Sequence, residues 1–417
     1  MDRRLRRIAA KLAIAPHLPG RSHSFGEEQH RFRLGPPLTA AAVRRFETEH
    51  QIALPRGYRD FLMMLGHGGA GPYYGLLPLG SWRYSVRGDL PSGHLARPFP
   101  LSPGTSPGPQ WWRHVGTPDE PFTGAIPLVH QGCTYASLLV VTGSARGRVV
   151  DIDLDLQPPF FPGDADFLDW YERWLTEIID GVDSTEWGFS TSLPGTQAQL
   201  TAVLHDHLDP LQRARAAQTL GRHPGLTPPA RAALVHAVHV DDDPQVRSKA
   251  LWALTNPLLD RDRPVVEHAL DDIDPKVRAL AVRRLDRRGE HWHPRIRQAL
   301  RDLDAEVRQA AIAALRHSEL LTESDVLPLL DDPSGPVRAD AIVTLSALGS
   351  PHFAAAARAA LDDPHGAVRY CGLTRLRRAR LLTSEDLAKV IDDPDPCIRD
   401  HAKRFQGSTP PVRLHSE

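Results

Sequence analysis

The stretch DDIDPKVRALAVRRL, residues 271–285, returns in altered form along the second half of the chain. Aligned on its Val-Arg pair, it follows DDDPQVRSKALWAL (241–254) and precedes RDLDAEVRQAAIAAL (301–315). Three more copies come after: DDPSGPVRADAIVTL (331–345), DDPHGAVRYCGLTRL (362–376) and DDPDPCIRDHAKRF (392–405). The arginines stand at Arg247, Arg278, Arg308, Arg338, Arg369 and Arg399, at steps of 31, 30, 30, 31 and 30 residues. A degenerate earlier copy, LDPLQRARAAQTL, places Arg213 a further 34 residues upstream. A fixed period of this size marks a solenoid of stacked supersecondary units.

The residues predict that each unit is a helical hairpin. Asp243, Asp274, Asp304, Ser334 and Asp395 stand four before an arginine, where a side-chain oxygen caps a helix N-terminus. Pro244, Pro275 and Pro396 follow at the first helical position, where a missing N–H costs nothing. Apolar residues then recur at helical spacing, as in Val277, Leu280, Ala281 and Leu285. A second short apolar helix, such as PVVEHALDD or ESDVLPLLDD, precedes each cap.

Six residues before each arginine stands an aspartate: Asp241, Asp272, Asp302, Asp332, Asp363 and Asp393. Stacking brings every guanidinium near the turn aspartate of its own or the neighbouring repeat, and the pairs Asp241/Arg247 to Asp393/Arg399 are expected to form a structural ladder. The competing reading, ligand recognition by these arginines, is weaker because internal repetition imposes such groups for packing alone. This half, residues 205–404, resembles the HEAT-repeat family, in particular its short phycobilin lyase-type variant. Ordinary HEAT units are longer, about 40 residues or more. The resemblance implies an α-solenoid whose extended surface meets protein partners, and it does not imply an enzyme.

The first half has a different grammar. PLTAAAVRRFETEH and, after Pro55, RGYRDFLMML read as helices. GCTYASLLVVTGSARGRVVDIDL reads as two strands joined by a turn, and DADFLDWYERWLTEIIDGV as an apolar helix. Helices on both sides of an antiparallel hairpin predict an α+β domain. The run FETEHQIALPRGYRDFLMMLGHGGAGPYYGLLPL resembles the SMI1/KNR4 family of the SUKH superfamily, through Phe46-Glu47, Leu54-Pro55, Tyr58, Phe61-Leu62 and Gly68-Gly69. Gly132-Cys133, LLVVTG, Gly147 and the helix around Trp170 continue it over about residues 36–180, although His67 stands where the family has Asn. The expected organisation is a helical extension (1–35), a SUKH-like domain (36–182), a linker (183–204), the solenoid (205–404) and a tail (405–417).

Composition narrows the function. The 417 residues carry 50 Lys+Arg against 51 Asp+Glu, a net charge of −1, which gives no global pull toward nucleic acid or anionic membrane. Residues 201–404 balance 30 Lys+Arg against 30 Asp+Glu, so nucleic acid is disfavoured despite the local clusters RRLDRRGEHWHPRIR and RLRRAR. Cys133, Cys371 and Cys397 are too few and too scattered for a disulfide framework or thiolate cage. Lys11 interrupts the apolar start, arguing for an amphipathic helix over a signal peptide and for a cytoplasmic setting. No apolar run approaches bilayer length.

Nothing in the text assembles a reaction centre, a cofactor site or a metal site. GHGGAGPYYG, 66–75, lacks the Lys and hydroxyl residue of a phosphate loop and instead predicts a corner after a helix. Asp151, Asp153 and Asp155 alternate with aliphatics and predict the wet face of a half-buried strand. The pairs His205/His207 and His291/His293 lack ligand spacing. Candidate partner-binding residues are Tyr73 and Tyr74 beside the glycines, and Trp111 and Trp112 in the Pro/Gly-rich stretch 90–124. The sequence therefore predicts a non-catalytic protein-binding adaptor. The SUKH resemblance implies an immunity protein that occludes a toxin domain; the alternatives are a regulatory scaffold in cell-wall or signalling control and a nucleic-acid-binding solenoid. Oligomeric state stays open.

Overall fold

The structure, a computed structural model, describes residues 2–21, 23–81, 93–104, 123–132, 134–153, 159–182, 188–256, 258–285 and 292–406. Trp111, Trp112, Cys133, Asp155 and His291 lie outside these residues, as do 183–187 of the expected linker and 407–417 of the tail. The chain splits into two compact units, Met1–Ala237 and Val238–Glu417.

In the first unit, helix α1 (Arg3–Ile14) buries Leu5 and Ile8 completely. Helices α2 (Ala40–Glu49) and α3 (Arg56–Met64) follow, then strands β1 (Ala125–Gly132), β2 (Tyr135–Val140) and β3 (Val149–Asp153). The three strands form an antiparallel meander in the order β1-β2-β3. β1 is an addition to the two strands expected: Pro127 and two register breaks, at Pro127/Val129 and His130/Gly132, spoil the period of two that announces a strand. Helix α4 (Phe167–Ile179) is capped by Asp166, whose carboxylate accepts from the Leu168 and Asp169 N–H groups. α1 lies along α4: Arg4 pairs with Asp166 and Asp169, and Arg7 and Lys11 both reach Glu172.

The sheet is covered on both faces. Leu139 and Val149 face a core built with Phe61, Phe167, Trp170, Tyr171 and Trp174. Leu138, Val140, Val150 and Ile152 point the other way, to Phe99 and Leu101. The glycines of 66–75 turn the expected corner. Gly69 sits at φ +88 and exchanges backbone hydrogen bonds with Leu76, and a Cβ there would lie 2.2 Å from the Arg33 carbonyl oxygen.

After α5 (Gly188–Thr191) the chain becomes a run of helices: α6 (Gln197–Asp206), α7 (Pro210–Leu220) and α8 (Pro228–Val240), within which the first unit ends. The second unit continues with α9 (Pro244–Leu254), α10 (Arg263–Ala269), α11 (Pro275–Leu285), α12 (His293–Ala299), α13 (Ala305–His317) and α14 (Glu323–Val326). It closes with α15 (Gly335–Ala347), α16 (Phe353–Ala359), α17 (Gly366–Arg378), α18 (Ser384–Val390) and α19 (Pro396–Gln406). Asp243, Asp274, Asp304 and Asp395 accept from N–H groups in the first turns of α9, α11, α13 and α19. Ser334 does not cap α15 through its side chain.

Candidate interaction surface

The period puts the same side chains at the same place in every hairpin of the second unit. Arg247 donates from Nε and Nη2 to both carboxylate oxygens of Asp272, one repeat on, at 2.8 Å each. Arg278 takes Asp302, Arg308 takes Asp332, Arg338 takes Asp363 and Arg369 takes Asp393, each by the same two-pronged bond. The remaining Nη1 of each donates to two carbonyls of its own turn, as Arg278 does to Asp272 and Ile273. Each aspartate also accepts the N–H two residues on, as Asp272 does from Asp274. Arg399 bonds only the Asp393 and Pro394 carbonyls among the described contacts.

One arginine therefore clips its own turn to the next. The hydrogen bonds from Arg338 and Arg369 hold Asp363 and Asp393 below the usual carboxylate range, so both stay ionised at neutral pH. Arg308 and Asp332, with side chains 8% and 6% exposed, form a rung in which both partners are buried. Guanidinium groups committed in this way are unavailable to a ligand.

What the turn leaves outward is the residue after each ladder aspartate. Ile273 is 90% exposed and Leu303 is 99% exposed, and Pro333, Pro364 and Pro394 occupy the same register and are also exposed. One position before the ladder aspartate, Asp271, Asp331, Asp362 and Asp392 are exposed as well. The edge of the second unit thus sets apolar tips beside carboxylates in most repeats, with Asp242 at the tip position of the first and Arg301 in place of the carboxylate beside Leu303. Sequence reasoning passed over it, although the apolar residue between two aspartates was the available signal: a turn residue flanked by a ladder group and a cap has nowhere to bury itself.

The other sequence candidates are placed differently. Tyr73 is 5% exposed, and its hydroxyl bonds Ser190 Oγ at 2.8 Å and accepts the Ser190 N–H at 3.1 Å. It belongs to the core, a correction to the expected surface role: the glycine corner turns it inward against α5. Tyr74 is 36% exposed, stacked on His130 and edge-on to Phe25. The aspartate row also departs from the expected wet face. Asp151 and Asp153 are 8% and 4% exposed, because they share the sheet face of Leu139 and Val149, which the helix layer covers. Asp151 Oδ1 accepts from Ser137 Oγ at 2.6 Å and Gln131 Nε2 at 2.8 Å, and Asp153 accepts from Thr134.

A cleft of about 710 Å³ in the first unit runs between α1, α4 and the segments around 193–199 and 223–225. Its charged walls pair with one another, Lys11 with Glu172 and Arg173 with Asp164 and Glu177, so it reads as a seam where the first helical hairpin meets α4. Among the described residues no group of three His, Cys, Asp or Glu converges as a metal site, and no helix is long and apolar enough to cross a membrane.

Comparison with known proteins defines the class. The HEAT-repeat family model matches residues 198–286 and 294–371, so this part of the chain is a HEAT-repeat solenoid. Among solved structures the chain is similar to YibA of E. coli, at 16% identity over 59% of this chain and 89% of that one, with a TM-score of 0.39. It is also similar to Cex1p (17% identity, 57% and 58%, TM-score 0.34) and to a designed armadillo repeat protein (16%, 44% and 99%, 0.28). At these values the likeness concerns the repeat fold alone. Curated proteins give no significant match.

Proposed function

We propose that the protein is a binding scaffold whose second unit docks a partner protein along its turn edge. The observation that carries this is the recurrence of fully exposed aliphatics at one register of adjacent repeats, Ile273 and Leu303, continued by Pro333, Pro364 and Pro394. Single exposed aliphatics are ordinary, but an aligned row of them is the kind of patch that interfaces use. Asp271 and Asp362 already pair with Arg295 and Lys389, so it is Asp331 and Asp392 that favour a partner segment mixing apolar and basic side chains. HEAT repeats are typical of protein-interaction scaffolds, which supports the same reading.

The test is capture by the full-length chain. Ile273→Ser with Leu303→Ser should abolish partner capture from the source cell while leaving the melting temperature unchanged, since both side chains already face water. Undiminished capture by that double variant would refute docking at this edge.

The finer reading, an immunity protein that occludes a toxin domain, rests on the SMI1/KNR4 resemblance over residues 36–180. Tyr74, and Trp111 and Trp112 outside the described residues, are its proposed anchors. Co-expression with a toxin domain encoded beside this gene tests it: protection of the host supports the reading, and unrelieved toxicity refutes it. The balance of 30 Lys+Arg and 30 Asp+Glu over 201–404 weighs against the nucleic-acid alternative.

A further inference from the structure

The turn edge carries a hollow as well as a row of tips. Between the turns of the second and third repeats lies a cavity of about 510 Å³, a size that admits a partner's side chain. The buried Val282 and Val307 line it beside the half-buried Leu270 and Ala299, and the exposed Leu303 borders it. Its wall holds three carboxylates, and each is already paired: Asp271 with Arg295, Asp272 with Arg247 and Asp302 with Arg278. Those arginines are thereby committed. Arg301 is not. It lines the same hollow, is exposed, and its guanidinium has no carboxylate or hydrogen-bond partner among the described residues.

The charge reverses within one repeat. Asp331 occupies the register of Arg301 one repeat on, is exposed, and its carboxylate also has no partner among the described residues. An uncommitted cation beside an apolar hollow is therefore followed along the edge by an uncommitted carboxylate. We infer that this edge binds an extended peptide segment of a partner protein in one charge order. An acidic side chain meets Arg301, an aliphatic one beside it enters the hollow, and a basic one meets Asp331. This rests on docking at the turn edge and adds the chemistry of what docks. The Arg301 fork suits a carboxylate in two-pronged contact, and Asp331 repels one, which fixes the order of the charges. The stack fixes their spacing. Packed helices lie about 8–10 Å apart and an extended chain advances about 3.3 Å per residue, so one repeat spans about three residues of the segment.

Selection of a displayed library of random dodecapeptides on the full-length chain tests this. The selected peptides should carry an acidic residue with an aliphatic neighbour, and a basic residue about three positions away. Arg301→Asp combined with Asp331→Arg exchanges the two charges at exposed, unpaired positions and should leave the melting temperature unchanged. Those peptides should bind the exchanged chain about tenfold more weakly, and should regain affinity when their own two charges are exchanged. Arg301→Gln, which introduces no new charge, should weaken them in the same direction. Equal binding to wild type and exchanged chain overturns the inference. If Ile273→Ser with Leu303→Ser abolishes that equal binding, docking at the edge survives and only the charge order falls. Peptides indifferent to both sets of changes, or a library that yields no binder, overturn the charge order and the docking edge together.

Discussion

The two units of this chain hold themselves together over different distances. In the first, Arg4 reaches Asp166 across 162 residues and Tyr73 reaches Ser190 across 117. In the second, five ladder arginines, Arg247 to Arg369, find their aspartates 24 or 25 residues away, always in the next repeat. Long-range closure makes the first unit a single cooperative object, in which one buried group answers for elements far apart in the chain. Nearest-neighbour closure makes the second a stack, whose stability approximates a sum of repeats and interfaces. The difference says where specificity is affordable: a stack tolerates variation at its exposed turns, and the closed body does not.

The largest expected effect breaks the first unit. Arg173 is 7% exposed and carries Asp164, Glu177 and the Phe189 carbonyl at once, with its guanidinium over the Phe189 ring. Arg173→Ala leaves the buried Asp164 without its cation and Glu177 with Arg222 alone, which costs about 3–5 kcal/mol. Denaturant melts should show a large destabilisation in which α1, α4 and α6 lose protection together. If α6 stays protected while α4 melts, the unit is not one cooperative body.

A ladder variant should do less, and do it locally. Arg308→Ala removes a bidentate bond to Asp332, but Asp332 keeps the Ser334 N–H at 2.8 Å, so the loss is about 2–3 kcal/mol. Arg308→Lys restores the charge without the fork and should recover less than half of it. Hydrogen exchange should accelerate in α13 and α15 and leave α19 near wild type. Equal acceleration in α19 would mean that the second unit unfolds as one piece, erasing the contrast between the units.

The same contrast explains what could be read from the chain in advance. Repetition copies the signal, so the solenoid was legible from the spacing of its arginines, and the HEAT match falls on that stretch. The partner of each arginine was left between its own turn and the next, because only the stacking geometry decides it. The α+β character of the first half was legible from its helices and two of its strands. β1 was hidden by Pro127 and its bulges. Burial was the least legible property. Tyr73 and Asp151 both look like surface residues in a local window, and both are covered by segments more than a hundred residues or one helix layer away, α5 in the first case and α4 with α5 in the second. The exposed Ile273 and Leu303 are the reverse case: apolar letters that a local window assigns to a core, held outward by the turn between two fixed aspartates.

The smallest effect asks whether the repeats are interchangeable. Asp243 bonds the Gln245 and Val246 N–H groups at 2.8 and 3.2 Å, satisfying donors that a helix start otherwise leaves open. Asp243→Ala should cost about 1 kcal/mol. Ser334 occupies the same register but makes no capping bond through its side chain, so Ser334→Ala should change stability by less than about 0.5 kcal/mol. The two variants differ only in whether the side chain reaches the helix, since both turns keep their ladder aspartate and both helices place a proline in the first turn. Thermal melts of the pair therefore isolate capping from stacking. Equal losses would mean that position, not hydrogen bonding, sets the contribution of this residue, and the sum over repeats would then need one common term where the geometry gives two.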